Sequence, residues 1–411
     1  MRGKLLMLTL TLVLFLSSFN VLVGFSQGFP VTLTDDTGRT VTIKSLPQRI
    51  VSLAPSNTEI LFALGLDDKV VGVTSYCDYP SKVKDLVNQG KITVVGGYWN
   101  PSVEKIIDLN PDLVLGSTMM GQNNLQTLEE KDIPVLVLDP KTIDDIYDDI
   151  LMVGKATGTY DKAEALVDQM KTRIDAVKSQ VIGLTKVKVV YICWLSPVWV
   201  AGGGTFMDSA INIAGGVNVF SELSGWKSVS PEAVIEKNPD IIVYTSMSIQ
   251  GSGEQIRSQI KELFQPTNAV KNDQIYLLIG DASSMLERPG PGIVDGIEVL
   301  AKIFHPPAYG NTPKIITERK VTIQIIEPPG YSVVQVEAVS EAKEILTVEG
   351  DVKTAYKKLV EKGVISSEIP PIPKDSAVYE SLVRLYGPKL ERFPSVEGRT
   401  QLLYAMGILE V

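Results

Sequence analysis

Short apolar runs alternate with stretches of helical period along residues 31–305. Val31 and Leu33 alternate on one arm, and Val41 and Ile43 on the other, of a hairpin predicted around the turn Asp35-Asp36-Thr37-Gly38. Ile50-Val51-Ser52-Leu53, Val70 to Val73, Val94-Val95, Leu113 to Leu115 and Val135 to Leu138 read as short buried strands. Between them, Thr58 to Leu64 keeps Ile60, Leu61 and Leu64 on one helical face and stops at Gly65, and Val103 to Leu109 is a further helix. Such alternation predicts an α/β sheet with helices on its faces.

The pattern then repeats. Ser102-Val103-Glu104 through Asn110-Pro111-Asp112 to Leu113-Val114-Leu115 has a partner at constant spacing. That partner runs from Ser230-Pro231-Glu232 through Asn238-Pro239-Asp240 to Ile241-Ile242-Val243. Each copy is a helix with an early glutamate, an Asn-Pro-Asp stop and a buried strand, which predicts two related lobes. The second lobe begins at Lys188-Val189-Val190-Tyr191-Ile192. Between the lobes, Ile143 to Val181 carries helical spacing broken at Gly154 and Gly158. A helix from Asp161 to Val181 is about 30 Å long at 1.5 Å per residue. A strut of that kind predicts modest closure of the lobes rather than a wide hinge.

Punctuation sets the remaining boundaries. His305 to Pro313, rich in proline and glycine, reads as a linker. Beyond it, Val321 to Ile326 reads as a strand, and Val352 to Leu359 and Arg399 to Leu409 as helices. At the other end, Arg2 and Lys4 precede an apolar run from Leu5 that reaches Phe25, with the small residues Gly24 and Ser26 just before Gln27. This is the layout of a secretory signal peptide, either cleaved or retained as an anchor. The chain is expected to be exported, to the periplasm or the outer face of the cell membrane. No cysteine directly follows the apolar run, which argues against a lipid-attached N-terminus. The domain reading is a signal peptide over 1–26, an N-terminal lobe over 31–141, linking helices over 142–185, a C-terminal lobe over 186–305, a linker over 306–313 and a small α+β extension over 314–411.

A length of 411 residues with 44% hydrophobic and 21% charged residues is that of a multidomain globular chain. The net charge of −9 argues against nucleic acid or an anionic membrane surface as partner. Cys77 and Cys193 fall in different lobes and read as reduced, mostly buried thiols. The single histidine, His305, reads as a solvated linker residue. Zinc or manganese receptors therefore lack their usual ligands here, and Ser-His-Asp or Cys-His hydrolases lack their base. No phosphate-cradling G-x-x-x-x-G-K-[ST] loop is present, so any ATPase is a separate chain. Gly202-Gly203-Gly204 reads as a turn. The chain is not read as an enzyme, and no metal or cofactor is expected.

Ser52 to Ile60 (Ser-Leu-Ala-Pro-Ser-Asn-Thr-Glu-Ile), Val71-Gly72-Val73-Thr74, Tyr76-Cys77-Asp78-Tyr79-Pro80 and the paired glutamate helices resemble the helical-backbone class of ABC-importer binding proteins. The resemblance covers about residues 31–305 and is strongest to the vitamin B12-binding members. It implies two α/β lobes joined by a long helix, with the ligand in the cleft between them. It also implies that Glu104 and Glu232 dock on arginines of a dimeric permease, which works with a cytoplasmic ATPase. Aromatic residues of the B12-binding members match Tyr76, Tyr98, Trp199 and Trp226 around the corrinoid. Pro55, Ser56 and Asn57 match a loop that approaches it, and Asp281 and Arg288 match polar contacts. Ser117 stands where those members carry a tryptophan. The residues themselves place Tyr98 and Trp226 six positions before Glu104 and Glu232, which suits ring-lined walls for a broad ligand. The transported solute is expected to be cobalamin or a related corrinoid. A ferric siderophore, or haem held by Tyr76, Tyr79 or Tyr98, remains an alternative solute. A permease-independent surface sensor or scavenger is the alternative of another class.

Overall fold

The computed structural model describes residues 28–246, 252–310 and 312–319. They fall into two compact units. Unit one takes the residues up to Asp139 together with Asp149–Glu164, and unit two takes Pro140–Asp148 together with the residues from Ala165 onward. The strand and helices expected after residue 320 lie outside the described residues, as does the expected signal peptide.

Unit one opens with the predicted hairpin, β1 (Val31–Thr34) and β2 (Thr40–Ile43), paired antiparallel with Val31 opposite Ile43. Its sheet is wholly parallel, in the order β5-β4-β3-β6-β7. The strands are β3 (Ile50–Ser52), β4 (Val70–Val73), β5 (Thr93–Val94), β6 (Leu113–Gly116) and β7 (Val135–Val137). Helices α1 (Pro55–Ala63), α2 (Ser81–Asn88), α3 (Val103–Asp108) and α4 (Gln122–Glu129) connect them. Val51, Leu53, Val95, Ile106, Val114 and Leu128 are among the fully buried residues of one of its core clusters. Such runs on both sides of a short strand are what a doubly covered parallel sheet requires.

Helices α5 (Ile143–Thr157) and α6 (Tyr160–Val181) follow, and the division between the units falls within both. At 22 residues, α6 is about 33 Å long. In unit two, Arg173 of α6 holds Glu298 through two hydrogen bonds (2.9 and 2.7 Å) and Asp295 through a third (2.7 Å). This fork fixes the helix to α12 (Ile293–Phe304) at a partly buried site.

Unit two has a mixed sheet in the order β11-β9-β8-β12-β13-β14, with β10 also paired to β8. Its strands are β8 (Val187–Leu195), β9 (Val198–Ala201), β10 (Gly216–Asn218), β11 (Trp226–Val229), β12 (Ile241–Ser246), β13 (Ile275–Ile279) and β14 (Ile315–Ile316). Its helices are α7 (Phe206–Ile213), α8 (Pro231–Lys237), α9 (Gly253–Leu263), α10 (Asn268–Lys271), α11 (Ser284–Glu287), α12 and α13 (Pro306–Tyr309). The linker expected over 306–313 therefore contains a turn of helix, because proline is well suited to a first helical turn. Residues just beyond it add a strand to the sheet. His305 is buried, with its ring against Gly215, where burial holds its pKa below the ordinary histidine value. It is not a solvated loop residue. Gly202 and Gly203 admit no side chain, since a Cβ there would lie 2.4 and 2.2 Å from the carbonyls of Leu223 and Ser221.

The repeated motif has a shared chemistry. Ser102 and Ser230 cap their helices, accepting from the backbone N–H groups of Lys105 and Ala233. Asn110 and Asn238 then take left-handed backbone angles, with φ of 45° and 47°. Asp112 accepts hydrogen bonds from the backbone N–H groups of Gln48 and Arg49, and Asp240 from that of Lys188. Each aspartate thus secures the entry to the neighbouring strand, β3 or β8. A β-branched side chain disfavours the left-handed turn by about 1–2 kcal/mol. Asn110→Val is accordingly expected to lower stability by about that amount in urea denaturation, whereas Asn110→Gly leaves it little changed.

Candidate functional site

In an open parallel sheet the carboxyl ends of the strands carry the loops that bind ligands. Unit one gathers its predicted residues there. Tyr76 follows β4 and is 37% exposed. Tyr98 follows β5 on a loop closed by a bridge between Gly96 and Pro101. At the tip of that loop stands Trp99, 59% exposed. Its ring meets Tyr76 edge-on at 5.1 Å and Tyr98 at 5.2 Å, so it joins the two expected tyrosines into one aromatic surface. Burial raises the pKa of the Tyr98 phenol, against the opposing influence of the Ser117 hydroxyl. It remains a neutral hydroxyl at physiological pH.

Pro55, Ser56 and Asn57 were expected in a loop. They form the first turn of α1, with Pro55 at its start, and all three are buried. The Asn57 side chain donates to the Gly116 carbonyl at 2.8 Å, joining the start of α1 to the end of β6. Ser117 follows directly and is buried too, while Met119 two residues on is exposed.

Unit two builds a comparable surface on strands. Trp199 was expected just after a strand; it lies within β9, directly opposite Trp194 of β8. Residues paired across antiparallel strands share a face, and Trp194 and Trp199 are 46% and 38% exposed. Trp226 begins β11 opposite Ala201, on the same face as Trp199 by strand alternation. It is half-buried, its ring 5.9 Å from Tyr191 and 5.8 Å from Phe206. Asp281 is exposed on a short turn after β13. Arg288 is buried beside Glu287, whose pKa burial drives up to about 7.

Trp99 and Trp194 were not anticipated from the sequence. Trp99 adjoins Tyr98, so the adjacency was its one signal. Trp194 falls two residues beyond Ile192, in step with the buried face of its strand, and only the Ser196-Pro197 turn hinted at its partner.

The two glutamates are exposed, each at the second position of its helix, α3 or α8. The backbone and a serine hydroxyl, Ser102 or Ser230, hold both carboxylates below their usual pKa. In each unit a ring-bearing residue, Tyr98 on a loop or Trp226 at the start of β11, precedes the helix that carries the glutamate.

Each α/β unit thus presents aromatic rings and, at a helix start, an exposed glutamate. The family described as periplasmic binding protein matches residues 50–282, and the chain belongs to it. The chain is 36% identical over 293 residues to the uncharacterized ABC transporter substrate-binding lipoprotein YvrC of Bacillus subtilis, covering 69% of this chain and 88% of that one. Among solved structures it is similar to the periplasmic vitamin B12 binding protein BtuF of Vibrio cholerae, at 26% identity and a TM-score of 0.54, covering 63% of this chain and 96% of that one. It is also similar to the periplasmic heme-binding protein RhuT from Roseiflexus sp. RS-1, at 28% identity and a TM-score of 0.55, covering 63% and 98%. This chain is the substrate-binding component of an ABC importer. Among the described residues, no helix is long and apolar enough to cross a membrane.

Proposed function

We propose that the chain captures a corrinoid of the vitamin B12 type outside the cytoplasm and delivers it to a permease dimer driven by a cytoplasmic ATPase. Tyr76, Tyr98 and Trp99 of unit one, and Trp199 and Trp226 of unit two, contact the solute. Asp281 and Arg288 supply polar contacts, and Pro55, Ser56 and Asn57 support the first surface from beneath. Glu104 and Glu232 dock on the permease. The export signal carries the protein to the periplasm or the outer membrane face.

The exposure of the rings carries the reading. Tyr76, Trp99, Trp194 and Trp199 are each more than a third exposed, although water is a poor environment for such surfaces. A broad, partly conjugated ligand covers them at little cost in side-chain entropy. An anionic ferric siderophore calls for unpartnered cations. Arg288 is instead buried, beside the Glu287 carboxyl.

The test is a calorimetric titration of the purified protein with cyanocobalamin, cobinamide, haemin and a ferric hydroxamate. One-to-one corrinoid binding at submicromolar Kd, about −8 kcal/mol or stronger, is the expected result. Silence with both corrinoids alongside tight binding of haemin or the hydroxamate would overturn the solute assignment and keep the importer role.

A further inference from the structure

Residues 314–319 run along the edge of the unit-two sheet and on past its end. Ile315 and Ile316 of β14 lie opposite Leu277 and Leu278 of β13, and Ile315 packs against the core of the unit. Just before them, the Lys314 carbonyl accepts from the Leu277 N–H at 2.8 Å. The Lys314 ammonium donates to the Gln274 side chain at 3.1 Å and lies 3.9 Å from the centre of the Tyr276 ring. The segment lies beyond the family match, which ends at residue 282.

Parallel pairing sends the segment toward the carboxyl end of β13, the end that carries Asp281. There the Thr317 carbonyl accepts from the Ala282 N–H at 3.4 Å. Two residues on, the Arg319 Nε–H donates to Asp295 of α12 at 3.3 Å, with the arginine side chain 8% exposed. The other Asp295 oxygen accepts from Arg173 of α6 at 2.7 Å. One carboxylate therefore lies between two guanidiniums and ties the end of the segment to the long helix.

The Asp281 turn is a single turn of 3-10 helix, Gly280–Ser283, opened by Gly280 at φ 61°. The hydroxyls of Ser283 and Ser284 donate to the carbonyls of Gly280 and Asp281 at 2.8 and 2.6 Å. Those bonds hold the turn to itself, whereas the Thr317 carbonyl holds it to the sheet edge. A bond of that length is weak unless its acceptor is kept in place. Ile316 on one side of Thr317 and Arg319 on the other keep it there.

We propose that residues 314–319 form a strap that positions the Asp281 turn, with Arg319 as its anchor. Its bearing on transport rests on the proposed contact between Asp281 and the solute.

The test is amide hydrogen exchange of the full protein without solute, followed by mass spectrometry, beside calorimetry with cyanocobalamin. Arg319→Ala is expected to speed exchange at residues 280–284 about tenfold, as loss of a charged hydrogen bond implies, while α9 exchanges as in the parent. Arg319→Lys, which keeps a cation for Asp295, is expected to restore slow exchange. Cyanocobalamin affinity is expected to fall in Arg319→Ala by no more than in Asp281→Ala, and to fall no further when the two are combined. Unchanged exchange at 280–284 in Arg319→Ala would overturn the inference. Exchange speeded equally in α9 would do the same, since that marks a general loss of stability. So would an affinity loss from Arg319→Ala that persists in full on the Asp281→Ala background. If cyanocobalamin does not bind, or binds Asp281→Ala as tightly as the parent, the solute contact fails, and the exchange measurement still decides the strap.

Discussion

Cells whose binding protein carries both Glu104→Ala and Glu232→Ala are expected to lose solute uptake, while the purified double variant is expected to bind solute as tightly as the parent. Both side chains are exposed and lie outside the ring surfaces, so solute affinity has no reason to change. What the variant removes is a pair of carboxylates held ionised by their helix starts and capping serines. Exposed charges at a rim contribute mainly to orientation and encounter rate. Each single variant is accordingly expected to slow uptake, and the double variant to abolish it. Glu104→Gln with Glu232→Gln keeps the size and removes the charge, so it should behave like the alanine pair. Raising the ionic strength should slow delivery from the parent protein in reconstituted vesicles, because screening shortens the reach of the carboxylates. Undiminished uptake by the double variant would sink the docking assignment and favour a sensor or scavenger that needs no permease.

The glutamates were legible in the sequence because everything that shapes them is local. A serine cap, an early carboxylate and an Asn-Pro-Asp stop lie within a dozen residues, and each acts through the nearby backbone. Tyr98 and Trp226 stand out in the sequence by their fixed distance from those glutamates. Trp99 was missed because its exposure depends on the Gly96–Pro101 bridge, a contact that a hydropathy pattern does not encode. Trp199 was expected just after a strand, but the turn at Ser196-Pro197 returns the chain as β9 and places it within that second strand. Pro306, read as part of a linker because proline ends regular structure, opens a helix instead, since its fixed φ suits the first helical turn equally well. The unit boundaries were also beyond the sequence. Residues 140–148 group with unit two although unit-one segments lie on either side of them, a division that follows from packing.

Trp226→Ala is expected to weaken solute binding about a hundredfold, the loss of a large ring at an energetic centre, measured by the same calorimetry. Trp226 differs from the other rings in its support. Tyr191 and Phe206 pack against it, so it is held in place before solute arrives, and less side-chain entropy remains to be lost on binding. Trp99, at the tip of its loop, is more exposed and meets the rings of Tyr76 and Tyr98 edge-on. Trp99→Ala is therefore expected to cost less affinity than Trp226→Ala and to leave the melting temperature nearly unchanged. Trp226→Phe retains a flat apolar surface and should keep most of the affinity. Trp226→Ala also removes packing from Tyr191, so a modest fall in melting temperature should accompany it. Comparing the two substitutions separates the effects. A fall in stability with affinity intact would make Trp226 part of the core of unit two. A large loss of affinity in a variant that still melts cooperatively would make it part of the binding surface.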